Sequence, residues 1–239
     1  MDIISSLSIL ALAGLIHASF QLSVSVLSLV NGHALGSKHS QERVLRLSTS
    51  FVVGATVMTL LLLSTLSLIL LNIFVYEIPA IAWSAVSGLM FSVGVAIWIF
   101  YYRRSEGTST WIPRPVAAYL TDRTKSTKSG VEAFALGMVS ILGELIFIIA
   151  PLLAASMVII NMPASWQLAG IAIYTIFSIL SLVIVWVSIG SGHKVSKIQK
   201  WREENKYFLQ FIAGGGLIVM CFYLYTYEVL SNVVIIGGY

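Results

Sequence analysis

Residues 133–160 read AFALGMVSILGELIFIIAPLLAASMVII, a run of 28 residues with one ionisable group, Glu144. At a rise of about 1.5 Å per residue, such a helix exceeds the roughly 30 Å of a bilayer's hydrocarbon core. The run predicts a helix solvated by lipid, and working outward five more follow, over 7–30, 47–71, 78–102, 166–190 and 207–230. Trp or Tyr near several of these ends suits an interfacial belt. Composition agrees. The chain is 58% hydrophobic and 10% charged with a mean hydropathy of +0.92, whereas soluble domains carry about 25% charged residues. Six helices use up most of the 239 residues, so any function belongs to the membrane bundle. The first span follows Asp2 and no Lys or Arg, which is unlike a signal peptide, and it is expected to stay in the mature protein.

All fourteen Lys and Arg residues fall within 38–46, 103–128 and 194–206. The loops at 31–46, 103–132 and 191–206 hold three, six and five of them; the loops at 72–77 and 161–165 and both termini hold none. Positive charge concentrates in cytoplasmic loops, so the alternation predicts a multi-pass protein of the plasma or inner membrane with both termini extracytoplasmic. Anionic headgroups account for the basic balance, at about 1 kcal/mol per cation near the surface, and no nucleic acid is required. The middle segment divides the chain into 1–102, 103–132 and 133–239. Within it, Trp111, Ile112, Pro113, Pro115, Val116, Tyr119 and Leu120 form an amphiphilic patch, followed by residues 121–130, rich in Ser, Thr and Lys, which read as a flexible linker.

The halves resemble each other. A shift of 123 residues sets Gly14 on Gly137, His17 on Ser140, Gln21 on Glu144, Leu22 on Leu145 and Ser28 on Pro151. With loop gaps, Gly54 falls on Gly170, Thr59 on Thr175 and Gly88 on Gly216. Three helices per copy is an odd number, so the second copy enters the membrane from the opposite side. The expected fold is therefore an all-α integral membrane protein of six transmembrane helices in a three-plus-three inverted-topology repeat, a transporter device.

This pattern resembles the lysine-exporter superfamily, which includes amino-acid exporters, divalent-metal exporters and the CcdA and DsbD thiol-electron carriers. The resemblance rests on the extracytoplasmic N-terminus, the short basic loop after the first helix, RLSTSFVVGA at 46–55, SGLMFSVGVAIW at 87–98 and its copy GGGLIVMCFYLY at 214–225. It implies export of a small solute by alternating access. The electron carriers use one cysteine in the first helix of each repeat, whereas here those regions read GLIHASFQLS at 14–23 and GMVSILGELI at 137–146. The one cysteine, Cys221, lies in the sixth span and reads as a packing residue, so a thiol role would need a partner's thiols.

A polar stripe stands where those cysteines would be. Gly14, His17, Gln21, Ser25 and Ser28 share one face of the first helix, and Gly137, Ser140, Glu144 and Pro151 the equivalent face of the fourth. An acid near mid-span costs at least about 2.5 kcal/mol to insert, which makes Glu144 a candidate for cation or proton binding. Gln21 and Ser140 are expected to orient substrate and His17 to modulate the site's charge. Two readings of Glu144 stand, a coupling group or a neutral acid bonded to a neighbouring helix; for His17 the simpler one is a satisfied packing residue. Pro151, Gly14, Gly137 and Gly215 are candidate conformational positions. Glu77 and Glu228 read as outer-surface residues. His33, His39 and His193 lack metal-site spacing, and no cofactor motif, phosphate loop, nucleophile elbow or carboxylate pair suggests an enzyme. The expectation is a small-solute or ion transporter, with a non-transporting membrane subunit or scaffold on the same fold as the alternative and a homo-oligomer left open.

Overall fold

The computed structural model describes residues 1–20, 24–27, 41–74, 77–101, 119–120, 122–124, 126–127, 129–191, 200–201 and 204–231. The described elements are all helical: α1 (Ile3–Ser19), α2 (Gln41–Ile73), α3 (Ala80–Ala96, continuing as a π-turn over Ile97–Tyr101), α4 (Gly130–Asn161), α5 (Ala164–Ser178), α6 (Leu180–Gly190) and α7 (Lys206–Leu224, continuing as a π-turn over Tyr225–Leu230). Four stretches, Glu42–Ile73, Ala80–Ile99, Gly130–Asn161 and Tyr207–Leu230, are long and apolar enough to cross a membrane. The pair α5 and α6 makes a fifth if it is one bent span. These helices mark a membrane protein.

Two of the expected spans differ from their reading. The span over 7–30 is a 17-residue helix that ends at Ser19, with a further helical turn at 24–27. Phe20 turns extended at φ −82° and ψ 112°, and the Ala18 carbonyl accepts a 2.7 Å hydrogen bond from Ser181 Oγ of α6. A side chain 163 residues away thus satisfies this helix end. The span over 166–190 bends by 54° at Ile179, which has φ −92° and ψ 2°. Neither Pro nor Gly lies there. Instead the Ser178 hydroxyl bonds the Thr175 carbonyl at 2.8 Å, the kind of back-bonding that bends helices.

Local chemistry explains the other ends. Asp2 caps α1 by accepting from the Ser5 N–H at 3.3 Å; hydrogen bonding from the Ser5 side chain, with a smaller part from this N–H, holds its exposed carboxyl below the usual carboxylate range. At α4 the Glu132 N–H donates to Ser129 Oγ at 3.2 Å and the Ser129 N–H to Glu132 Oε2 at 3.1 Å, a complete capping box. The expected flexible linker over 121–130 is replaced, among its described residues, by helical backbone leading into this cap; Leu120 and Thr124, one turn apart, are buried.

Three seams hold the helices together. On α2 and α4 a Cβ at Gly54 would run into the Phe134 carbonyl, and one at Gly137 into the Phe51 carbonyl, 3.0 Å from the Ala55 nitrogen. Lipid tails are as apolar as Leu, so such association depends on close van der Waals packing, which small residues permit. On α1 and α5 a Cβ at Gly14 would sit 2.7 Å from the Tyr174 carbonyl and 3.1 Å from the Ser178 nitrogen. On α3 and α7 the contact is reciprocal: a Cβ on Gly94 would meet the Gly214 carbonyl at 3.0 Å, and one on Gly214 the Gly94 carbonyl at 3.1 Å. Gly214 makes this close approach; at Gly215, the candidate conformational position, an added Cβ would be in ordinary contact with Trp98 at 3.6 Å. Trp98 stacks on Phe211 at 5.4 Å and donates to its carbonyl at 3.2 Å.

Contact order fixes relative direction. Leu10 meets Gly170, Gly14 meets Tyr174 and Ala18 meets Ser181, so α1 and α5 run the same way. Gly130 meets Ser50 and Phe134 meets Gly54, so α2 and α4 also run together. Trp98 meets Phe211 and Gly94 meets Ile218, so α3 and α7 run opposite. Trp186 Nε1 of α6 donates to Thr49 Oγ1 of α2 at 2.9 Å and ties the bent pair to the second helix.

Gly137→Leu should lower stability by about 2 kcal/mol through overpacking, read as a reduced thermal midpoint in detergent. Gly88→Ala is the control: no atom lies within 4 Å of the added Cβ, so the midpoint should not move.

Candidate functional site

The α1–α5 and α2–α4 seams bring the last turn of α1, the middle of α4 and the second half of α5 together. His17 enters from α1, Glu144 from α4 and Tyr174 from α5, at 2%, 1% and 0% exposure. His17 Nδ1 lies 3.0 Å from the Tyr174 hydroxyl oxygen, and His17 Nε2 lies 3.9 Å from Glu144 Oε2. The first distance is a hydrogen bond; the second is beyond one but within close electrostatic range. The imidazole therefore stands between a phenol and a carboxyl group, one on each ring nitrogen. Its ring centroid is 5.9 Å from that of Tyr174, tilted by 49°.

The backbone placement has local causes. Gly14 lets α1 press against the Tyr174 carbonyl, so His17, three residues on, reaches the Tyr174 side chain across the same seam. One turn beyond His17 and Glu144, Phe20 and Phe147 stack at 5.6 Å and 18°, closing that side with apolar surface. Glu144 and Tyr174 belong to helices joined only by the short connection 162–163, which keeps α4 and α5 adjacent.

The other expected site residues are placed as follows. Ser140 is fully buried one turn before Glu144, and its hydroxyl donates to the Gly137 carbonyl at 2.7 Å. Its hydrogen is thus committed within the helix, while its oxygen keeps acceptor capacity. Pro151 is buried within α4 two turns beyond Glu144 and cannot supply an N–H to the Phe147 carbonyl. Gly14 and Gly137 sit in the seams. Gln21, Ser28, His33, His39 and His193 lie outside the described residues. Ser25 is in the helical turn 24–27.

Two expectations change. Glu228, read as an easily solvated residue near the outer surface, is 7% exposed within the π-turn over Tyr225–Leu230. Tyr174 was not among the expected site residues, although a signal existed: tyrosine belongs to the interfacial belt, and one in mid-span needs a buried partner for its hydroxyl. Cys221 is a free, buried thiol. Among the described residues no group of three His, Cys, Asp or Glu side chains could hold a metal ion.

Chemically, the trio can hold and redistribute hydrogen. A carboxyl group, an imidazole with a polar group facing each nitrogen and a hydroxyl that can donate or accept make a buried polar cluster. Removing His17 or Tyr174 takes away the other's hydrogen-bond partner. Tyr174→Phe should destabilise by about 1 kcal/mol, while His17→Leu, which leaves the buried Tyr174 hydroxyl without its partner, should cost about 2 kcal/mol in denaturant titrations of the purified protein.

Comparison with known proteins gave no match to a family model, to a curated protein or to a solved structure.

Proposed function

We propose that the protein is a membrane transporter of a small solute or ion, working by alternating access around the site formed by His17, Glu144 and Tyr174. The observation that carries this reading is the carboxyl group of Glu144, buried near the middle of a 32-residue apolar helix and facing a histidine from another helix. Ionisable groups at membrane depth are costly to insert and mark ion and substrate pathways. In this reading Glu144 takes the coupling ion, His17 adjusts the charge around it, and Ser140 and Gln21 contribute polar atoms to the substrate's path.

Alternating access needs two arrangements of one framework, and we propose that an inverted repeat supplies them. Exchanging the halves turns the α1–α5 seam into the α2–α4 seam and returns the α3–α7 seam to itself. The close contacts support this: Gly14 abuts Tyr174 and Ser178, Gly137 abuts Phe51 and Ala55, and all three pairs of counterparts are 123 residues apart. In the second helices this register replaces the gapped alignment that sets Gly54 on Gly170 and Thr59 on Thr175. In the third helices the reciprocal pair is Gly94 with Gly214, where the sequence alignment sets Gly88 against Gly216. The helix directions given by contact order suit six crossings, with α1 and its following turn as the first and the α5–α6 pair as the fifth. The break at Ile179, five residues after Tyr174, is the discontinuous helix expected beside a transport site. In this reading the basic loops face the cytoplasm and both termini the outside, a topology that the charge alternation supports and that the resemblance to the lysine-exporter superfamily implies.

Transport is tested by efflux from proteoliposomes and by sensitivity screens across amino acids and metal ions. Glu144→Gln should abolish transport or its pH dependence; normal transport with an unchanged pH profile removes the coupling role. Orientation is tested in a Cys221→Ser background with single cysteines at Ser5 and Ser126: an impermeant thiol reagent added to intact cells should label the first and not the second.

A further inference from the structure

We propose that the ion handled at this site is a proton held between Glu144 and His17, and that Tyr174 is the positioning residue that couples the ring of His17 to α5. This deepens the transporter reading and rests on it for its biological purpose, though not for its chemistry.

The described side chains suit a proton better than a divalent cation. Calcium takes about six to eight oxygen ligands and magnesium about six, whereas His17, Glu144 and Tyr174 bring one imidazole, one carboxyl group and one phenol. Zinc and its relatives need at least three protein ligands of the right type, and no such group occurs among the described residues. A proton needs one lone pair. His17 Nδ1 already lies 3.0 Å from the Tyr174 hydroxyl, and Nε2 and Glu144 Oε2 share a proton once their 3.9 Å separation closes to hydrogen-bond distance.

The geometry also links protonation to the helix. A neutral imidazole has one N–H and one bare nitrogen. When Glu144 is a carboxylate, the favourable tautomer carries its hydrogen on Nε2, toward the carboxylate, and Nδ1 accepts from the Tyr174 hydroxyl. When Glu144 carries a proton, its O–H can donate to a bare Nε2; Nδ1 then holds the ring hydrogen and donates to the Tyr174 oxygen, which turns its own hydrogen elsewhere. The hydrogens balance: the second state has one on Glu144, one on Nδ1 and one on the phenol, one proton more than the first, with no bond between heavy atoms made or broken. Charge goes from a net −1 to 0 within the pair, and a site without water favours the uncharged form. Tyr174 is the only member of the trio on α5, five residues before the bend at Ile179, and its backbone carbonyl is packed against Gly14. A reversal of the His17–Tyr174 hydrogen bond is therefore felt at the seam between α1 and the bent pair.

Among the described residues, the other titratable groups of the surrounding elements are these. Asp2 caps the start of α1, Glu132 lies three turns before Glu144 at the start of α4, and α5 and α6 carry no further Asp, Glu, His, Lys or Arg. On α2 the charges are Glu42, Arg43 and Arg46 in its first two turns, α3 has none up to Ala96, and α7 contributes Lys206, Tyr207, Cys221 and Tyr223, with Tyr225, Tyr227 and Glu228 in its π-turn.

The test uses the full-length protein in lipid nanodiscs, labelled with nitrogen-15 histidine. His17 is assigned among the four histidines by its loss in His17→Asn, and the carboxylic-acid carbonyl band of Glu144 by its loss in Glu144→Gln. As pH falls, the hydrogen of His17 should move from Nε2 to Nδ1 over the same interval in which the Glu144 band grows. Glu144→Gln, which keeps the side chain's size, should leave the tautomer independent of pH. Tyr174→Phe removes the Nδ1 partner from both tautomers, so the nitrogen-15 shift of Nδ1 should change at both ends of the pH range, with the Glu144 band still present. The proposal is overturned if Glu144 keeps one protonation state at every pH, if the tautomer switch persists in Glu144→Gln, or if Tyr174→Phe leaves the Nδ1 shift unchanged at both ends. A pair that titrates in a protein with no flux would sink the transporter reading alone; Glu144-dependent flux without titration would sink the proton alone.

Discussion

Lipid removes the force that assembles soluble proteins, because an apolar side chain gains nothing by leaving one hydrocarbon environment for another. What remains is van der Waals contact at close range and the need of each polar group for an internal partner. The structure depends on the first at three seams. Gly54 and Gly137 let the backbones of α2 and α4 touch, Gly14 does the same for α1 on α5, and Gly94 with Gly214 for α3 on α7. Each seam fixes direction and depth as well as proximity, since backbone contact leaves little freedom to slide.

From those depths the site follows. The Gly14 contact sets His17 opposite Tyr174, and α4, held by its own seam to α2, delivers Glu144 to the other side of the imidazole. The cluster is thus built by glycines that carry no chemistry. It also meets the second requirement, because both ring nitrogens of the buried His17 face polar groups. The two departures from regular helix serve the same arrangement. The end of α1 after Ser19 and the bend at Ile179 lie next to each other, joined by the Ser181 bond to the Ala18 carbonyl, and both border the site.

Much of this could be read from residues alone, for identifiable reasons. The helices at 42–73, 80–99, 130–161 and 207–230 follow from long apolar runs, whose meaning in a bilayer does not depend on neighbours. Glu144 stood out because one acid in 28 apolar residues has no local explanation. His17 was legible as part of a polar stripe, but its partner was not: a tyrosine 157 residues away enters only when α1 and α5 are brought together. The alignment of halves placed glycines on glycines, yet it chose Gly88 and Gly216 for the third helices, and the close contact falls on Gly94 and Gly214. Sequence similarity cannot tell a glycine that touches another backbone from one facing open space.

By itself, then, the sequence determined the class of environment, the approximate helical stretches, the clustering of positive charge and the presence of a buried acid. These depend on transfer free energies, which are properties of residues and short segments. Only the tertiary structure decided where α1 stops, that α5 and α6 meet at a bend with neither Pro nor Gly, that Glu228 is buried, and that Tyr174 completes the cluster with His17 and Glu144. Those features are set by contacts between residues far apart in the chain, where one hydroxyl or one missing Cβ changes which groups can meet.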